Sequence, residues 1–356
     1  MSRRVVGIAL AAFALLAPAA SPSGAFRDVL DTPAAASALA STGLFNGLAR
    51  AGMRVVAVGQ RGHVVYSDDA GRTWMQAKVP VSSDLVAVTF PSPSQGWAVG
   101  HDGVILHSAD AGATWVRQLD GRSAGQAIVA YYAAEAATGA LGSPEQAAKL
   151  VDAAKRFAEQ GAENPFLDVW FENERTGFVV GAFNLILRTT DGGATWEPWF
   201  HRSDNPKALH LYAIRPAGGE IYIAGEQGLL LKFDGASGRF QAVSVPYKGT
   251  LFGITGNATS VLVFGLRGNA FRSADGARTW QKVETGLQVG LTGAAADHGR
   301  IVLVSQAGHV LTSADDGATF TQRKAERPVP AAAVLGLDKD VIVTAGPRGV
   351  RTQPLQ

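Results

Sequence analysis

The stretch GWAVGHDGVILHSADAGATW, residues 96–115, decides the fold because it returns along the chain. Two copies flank it: VVAVGQRGHVVYSDDAGRTW (55–74) and GFVVGAFNLILRTTDGGATW (177–196). Four more follow: IYIAGEQGLLLKFDGASGRF (221–240), VLVFGLRGNAFRSADGARTW (261–280), IVLVSQAGHVLTSADDGATF (301–320) and VIVTAGPRGVRTQPLQ (341–356). The last four start 40 residues apart and the first two 41 apart. The second and third start 81 apart, so about one repeat length is inserted between them. A fixed period of this size is the mark of a repeat architecture.

Each repeat reads as four short strands. An apolar first strand, such as Leu85–Phe90 or Leu167–Phe171, precedes the quoted segment. The second strand, such as Val55–Val58, ends at a glycine, here Gly59. A turn with Gly62, a third strand His63–Ser67, an Asp-Gly loop and a fourth strand after Thr73-Trp74 complete the unit. Four antiparallel strands per roughly 40 residues with glycine-rich turns make a β-propeller blade. Setting aside residues 1–25 and the insertion leaves about 290 residues, enough for seven blades of about 41. The expectation is therefore an all-β, seven-bladed β-propeller over 26–356, interrupted by an insertion at 121–163. Blade seven runs out of chain after its third strand, near Arg351, and the segment Phe26–Thr32 is free to supply the fourth.

The Asp-Gly loops follow the pattern Ser/Thr-x-Asp-x-Gly-x-Thr-Trp in three copies, with the glycine shifted to Gly276 in a fourth and Phe320 ending a fifth. They carry Asp69 and Trp74, Asp110 and Trp115, Asp191 and Trp196, Asp275 and Trp280, and Asp315 and Phe320. An aspartate in a tight loop accepts hydrogen bonds from nearby backbone amides, and the Ser or Thr hydroxyl adds another. Glycine supplies a positive φ, and the aromatic plugs the gap between blades. Separated around a ring, these acids cannot converge on one site, so they read as structural rather than as calcium ligands or acid–base catalysts.

Residues 1–25 carry Arg3 and Arg4, an apolar run from Val5 to Leu16, and small residues ending at Ala25. This is a secretory signal pattern with a cut expected after Ala25 or, alternatively, Ala19. The apolar run falls short of the ~18–20 residues that span a bilayer. A periplasmic or secreted location follows. The whole chain holds 32 Lys+Arg against 30 Asp+Glu; losing Arg3 and Arg4 makes it neutral. A neutral exported protein lacks the basic footprint of a nucleic-acid binder. With no cysteine in 356 residues, disulfides, thiolate metal sites and a cysteine nucleophile are excluded. The seven histidines are scattered without metal-ligand spacing, so no metal and no cofactor are expected.

The repeated loop is the Asp-box, or BNR, repeat. The finer wording goes further: Asp84-Leu85…Phe90…Gly96-Trp97-Ala98-Val99-Gly100 and Leu167-Asp168-Val169-Trp170-Phe171…Gly177-Phe178-Val179-Val180-Gly181. These segments resemble the photosystem II stability/assembly factor family, and more closely its relatives in non-photosynthetic bacteria. The resemblance covers nearly all of 26–356 apart from the insertion. It implies a seven-bladed lumenal or periplasmic propeller that assembles protein complexes rather than an enzyme. In bacterial relatives it implies an association with RND-type exporters. The enzymatic rival on this scaffold is a sialidase-like glycosidase, which needs an arginine triad, a Tyr–Glu pair, an acidic Asp and a Phe/Tyr-Arg-Ile-Pro motif. The nearest text, Ile214-Arg215-Pro216, lacks that motif.

Binding is expected on the face opposite the Asp-boxes, where the turns between second and third strands meet the blade-joining loops. Arg61, Arg267 and Arg348 lie on three of those turns, and Arg202 and Lys248 lie on joining loops. Such a patch grips acidic loops through bidentate pairs. The insertion reads as a helical hairpin: Ile128, Tyr131, Tyr132 and Ala136 share one side of a first helix. Ser143-Pro144-Glu145-Gln146 starts a second, along which Ala147, Leu150, Val151, Ala154, Phe157 and Ala158 follow helical spacing. It either folds onto the propeller rim or protrudes as a docking arm anchored by Tyr131, Tyr132 and Phe157. The expected partner is a protein, a membrane complex, with no small-molecule substrate and a monomer when free.

Overall fold

The computed structural model describes residues 27–323 and 327–355; residues 1–25 and Phe26 lie outside it. Seven antiparallel sheets follow one another along the chain, over 45–76, 85–119, 166–198, 211–242, 251–283, 291–322 and 333–354. Every hydrogen-bonded neighbour is also a sequence neighbour, so each sheet is a simple meander. The first strands pack side by side around a central axis, and the first strand of blade one, Phe45–Ala51, closes the ring against blade seven.

Burial explains the strand chemistry. Second strands are packed on both faces by adjoining blades, so Gly96–Gly100 and Gly177–Gly181 are buried at every residue. Trp97 stacks on Phe171 of the next blade at 3.8 Å between ring centroids. The glycine that ends the second strand answers to a close approach. A Cβ on Gly100 would lie 2.1 Å from the carbonyl oxygen of Asp84, where the chain enters the first strand.

Six first strands share a register shift at their second residue: Asn46, Val86, Leu167, Tyr212, Phe252 and Thr292 are skipped in the pairing. Such bulges re-aim a side chain. All six line the central channel, where a cavity of about 220 Å³ opens.

The insertion folds as α1 (Gly121–Thr138) and α2 (Pro144–Glu159). Asp120 with Ser123, and Ser143 with Gln146, form reciprocal capping boxes at the two starts. Gly125 lets the helices touch, since a Cβ there would sit 2.8 Å from Ala158 Cα. Ala124, Ile128, Tyr132, Ala147 and Ala154 join one buried cluster with Ile105, Phe166 and Leu185 of blades two and three. The hairpin therefore lies on the propeller, in the cleft between those blades.

Among the described residues, blade seven has three strands, and the expected fourth is not supplied from 27–32. That segment turns once, at Val29–Asp31, and inserts Leu30 into the core shared by blades one and two. Ser82 donates to the Val29 carbonyl at 2.8 Å, and Arg117 donates to the Leu30 carbonyl at 2.6 Å. Arg122 pairs with Asp31 at 2.9 Å. A buried leucine and two arginine contacts hold the segment on the far side of blade one from the open edge.

Candidate functional site

The Asp-box loops come first, because they define the opposite face. In blade one, Thr73 donates its hydroxyl to Asp69 Oδ2 at 2.6 Å and its N–H to Oδ1 at 2.8 Å. Ser67 donates to Oδ1 at 2.8 Å and accepts the Gly71 N–H at 2.8 Å. The same set recurs around Asp110, Asp191, Asp275 and Asp315. Hydroxyl and amide donors to the ionised form depress each carboxyl. The Thr319 hydroxyl and N–H hold Asp315 at about 2, and the Thr195 N–H and hydroxyl hold Asp191 at about 2. Both oxygens of each carboxylate are thus occupied by their own loop. Trp115 is buried; Trp74, Trp196, Trp280 and Phe320 are half-buried against the blades.

On the other face, five turns between second and third strands share one conformation. Their middle residues, Arg61, Asp102, Phe183, Gln227 and Arg267, have φ between 52° and 57°. Left-handed backbone is unfavourable for a residue with a Cβ, by about 1–2 kcal/mol. The turns hold it by closing a hydrogen bond across three residues, as from the His63 N–H to the Gln60 carbonyl at 3.0 Å. The side chain is thereby thrown outward. Arg61 and Arg267 are exposed, as is Arg348 in the tighter turn of blade seven and Lys248 between blades four and five. None of these four forms an ion pair among the described residues.

Arg202 stands apart from them. It is half-buried, its guanidinium carbon 5.0 Å from the Trp199 ring centroid, and Arg188 shares that ring at 4.8 Å. It reads as packing between blades three and four, where the stem of an arginine covers apolar surface. The hairpin aromatics also turn inward, which corrects the picture of a free arm. Tyr132 is fully buried with its hydroxyl 3.1 Å from His201 Nδ1. Tyr131 donates to Glu197 Oε1 at 2.9 Å, and Phe157 packs on Phe200. Burial, then the Arg202 charge, lowers His201 to about 4, which keeps it neutral beneath Tyr132.

The structure adds an apolar path that the repeat pattern concealed. Phe183, 61% exposed, stacks edge-on to His210 at 4.5 Å. Tyr212 and Phe252 continue it into the channel mouth, 5.6 Å apart. The signal was present: Phe183 occupies a turn position where other blades carry Arg, Asp or Gln. Deeper in the channel, Asp168 is the one acidic residue lining the cavity, and Arg215 pairs with it at 2.5 Å. The two separated carboxylates of a glycosidase are not brought together there. Among the described residues, no group of three or more His, Asp or Glu could hold a metal ion, and no helix is long and apolar enough to cross a membrane.

Known proteins share this geometry. The family model described as photosynthesis system II assembly factor YCF48 matches residues 27–109, 54–140 and 149–328. The photosystem II assembly lipoprotein Ycf48 of Synechococcus sp. (strain CC9902) is 30% identical over 165 residues, 44% of this chain and 48% of that protein. The chain thus aligns with about half the length of that relative. The Prochlorococcus marinus protein of the same name is 60% identical over 35 residues, 10% of each chain. Among solved structures, one titled "YCF48 bound to D1 peptide" superposes with a TM-score of 0.64 at 16% identity, covering 89% of this chain and 94% of that one. YCF48 from Cyanidioschyzon merolae gives a TM-score of 0.63 at 14% identity, over 88% and 96%. Those likenesses fix the fold, and the family model, matched over most of the described chain, fixes the lineage: the chain belongs to the YCF48 family of photosystem II assembly factors.

Proposed function

We propose that this protein is an exported, non-enzymatic assembly factor that binds a protein segment of an envelope membrane complex, with an RND-type exporter as the particular client. The carrying observation is the face opposite the Asp-boxes. Arg61, Arg267, Arg348 and Lys248 stand there exposed and without an ion pair among the described residues, beside the apolar path from Phe183 to Phe252. Such a surface suits a segment carrying carboxylates and an apolar side chain: guanidinium groups take the acids as bidentate pairs, and the path takes the apolar residue. A relative in the family was solved with a D1 peptide, which supports a peptide as the ligand class. The twin arginines and apolar run of residues 1–25 support export.

The test is affinity capture from solubilised envelopes, followed by identification of the retained membrane protein. Deleting the hairpin is a poor probe, since it would strip a buried cluster. Charge reversal of three exposed arginines, Arg61→Glu with Arg267→Glu and Arg348→Glu, leaves the core intact. The native protein is expected to retain a membrane protein that the triple variant loses at least tenfold. Equal retention by both would remove this face from the proposal.

A further inference from the structure

Among the described residues, blade seven lacks the fourth strand that the other blades carry. In the other six blades the third strand is covered by a fourth of two to four residues. Its residues are accordingly buried, as in Val64–Ser67 and Ala270–Ser273, where three of four are buried and one half-buried. The third strand of blade seven, Gly349–Pro354, is different: Arg351, Thr352 and Pro354 are exposed. Among the described residues, nothing pairs with its outer edge. An unpaired edge offers a row of N–H and C=O groups to another strand.

Side chains around this edge give the missing strand a chemistry. Strand alternation sends Thr352 toward blade one, where it donates to the Gly71 carbonyl at 3.2 Å. Arg351 and Gln353 point the other way, toward blade six. There they line a cavity of about 340 Å³ with Arg323, Arg327, Val310 and Val329. Among the described residues, no aspartate or glutamate lines it. Arg323 reaches the Pro354 carbonyl at the end of the strand, and its buried Nε has no partner. An edge that merely repels other strands also carries charge and proline. Such an edge leaves its charges to water; here three arginines line one cavity beside backbone that nothing pairs with among the described residues.

We infer that this edge accepts an extended acidic peptide segment of a partner protein, which adds as the fourth strand of blade seven, antiparallel to Gly349–Pro354. Backbone pairing supplies the attachment, and carboxylates on the side facing blade six meet Arg323, Arg327 and Arg351. The inference rests on the reading of the chain as a peptide-binding propeller and adds a contact away from the turn face.

The probe is an acetylated hexapeptide of alternating glutamate and valine, added to the full chain. Amide exchange is followed at residues 349–353, and affinity by anisotropy of a labelled copy. The outward amides are expected to slow at least tenfold at saturation. Arg327→Glu combined with Arg351→Glu is expected to weaken binding at least tenfold, whereas Arg61→Glu with Arg267→Glu leaves it within twofold. A probe with alternate backbone nitrogens methylated is expected not to bind. The inference is overturned if the 349–353 amides stay fast at saturation, or if the Arg327/Arg351 variant binds normally. It is also overturned if these amides are already slow without probe. Concentration-independent slowing would place the chain's own residues 1–26 on the edge; concentration-dependent slowing would place a second copy there. Binding governed only by Arg61 and Arg267 would overturn the edge site while leaving the turn-face reading in place.

Discussion

Asp168 shows how a single residue breaks the repeat. Its place in the first strand is held by Gly47, Ala87, Ala213, Gly253, Gly293 and Ala333 in the other blades. Those small residues let the strands crowd the axis. Asp168 instead sends a buried carboxylate across to blade four, accepting from the Ile214 N–H at 2.7 Å and from Arg215 Nη1 at 2.5 Å. Burial pushes its pKa up, and the Arg215 charge pulls against that. Asp168→Ala leaves the buried Ile214 amide without its acceptor and takes the carboxylate from a half-exposed guanidinium that keeps only backbone carbonyls, such as that of Ile214 at 2.7 Å. The expected loss is about 2–3 kcal/mol, read as a lower denaturation midpoint at constant slope. A loss under about 0.5 kcal/mol would show that solvent replaces the carboxylate. Nothing in a single sequence announced this role: Leu-Asp-Val-Trp-Phe reads as an ordinary inner strand, and only the ring places Arg215 opposite.

Among elements, the hairpin was legible as two helices with an apolar side, the second with its cap at Ser143, and its contacts were not. Helical spacing says that a face is covered but never by what. The cover is the cleft between blades two and three, where Tyr132 is enclosed by Phe200, His201 and Tyr131. Tyr132→Phe is expected to cost about 1 kcal/mol through the lost hydroxyl contact, and Tyr132→Ala about 3–5 kcal/mol through the cavity it leaves. Global unfolding in denaturant measures both, and a hairpin that swings free would register neither. The N-terminal segment failed as a predicted strand for a related reason. Leu30 finds a closed socket between blades one and two, and Asp31 finds Arg122 on α1. That partner is distant in sequence and belongs to the insertion, so repeat arithmetic could not foresee it.

At the scale of the molecule, the ring was the most legible feature, because a period of about 40 residues constrains every blade at once. The open edge of blade seven was half legible: the repeat pattern assigned it three strands but did not show where residues 27–32 go. The Asp-boxes act together here. Loops in five blades hold carboxylates whose folded pKa lies below the unfolded value of 3.8. They contribute stability that is full above about pH 5 and withdrawn as pH falls through the folded values, about 2 for Asp191 and Asp315. Asp168, shifted upward, works in the opposite sense. Stability is therefore expected to fall steadily from about pH 5 to about pH 2.5, and Asp191→Asn with Asp315→Asn to flatten that fall. An unchanged slope in the double variant would assign acid sensitivity to other carboxylates. Ring closure shares the load, since Arg50 of blade one reaches the Gly336 and Leu337 carbonyls of blade seven.

The five left-handed turns carry a consequence for how such a surface changes over time. Arginine, aspartate, phenylalanine, glutamine and arginine occupy one backbone conformation, four of them exposed and Asp102 half-buried. Asn and Asp meet a smaller backbone penalty there and β-branched residues a larger one, while unbranched side chains meet similar ones. Identity among unbranched residues is thus only weakly coupled to stability at these positions. The face behaves as an array of interchangeable heads on a fixed stage, and a lineage can trade one client for another by editing a few tips while every blade stays as it is.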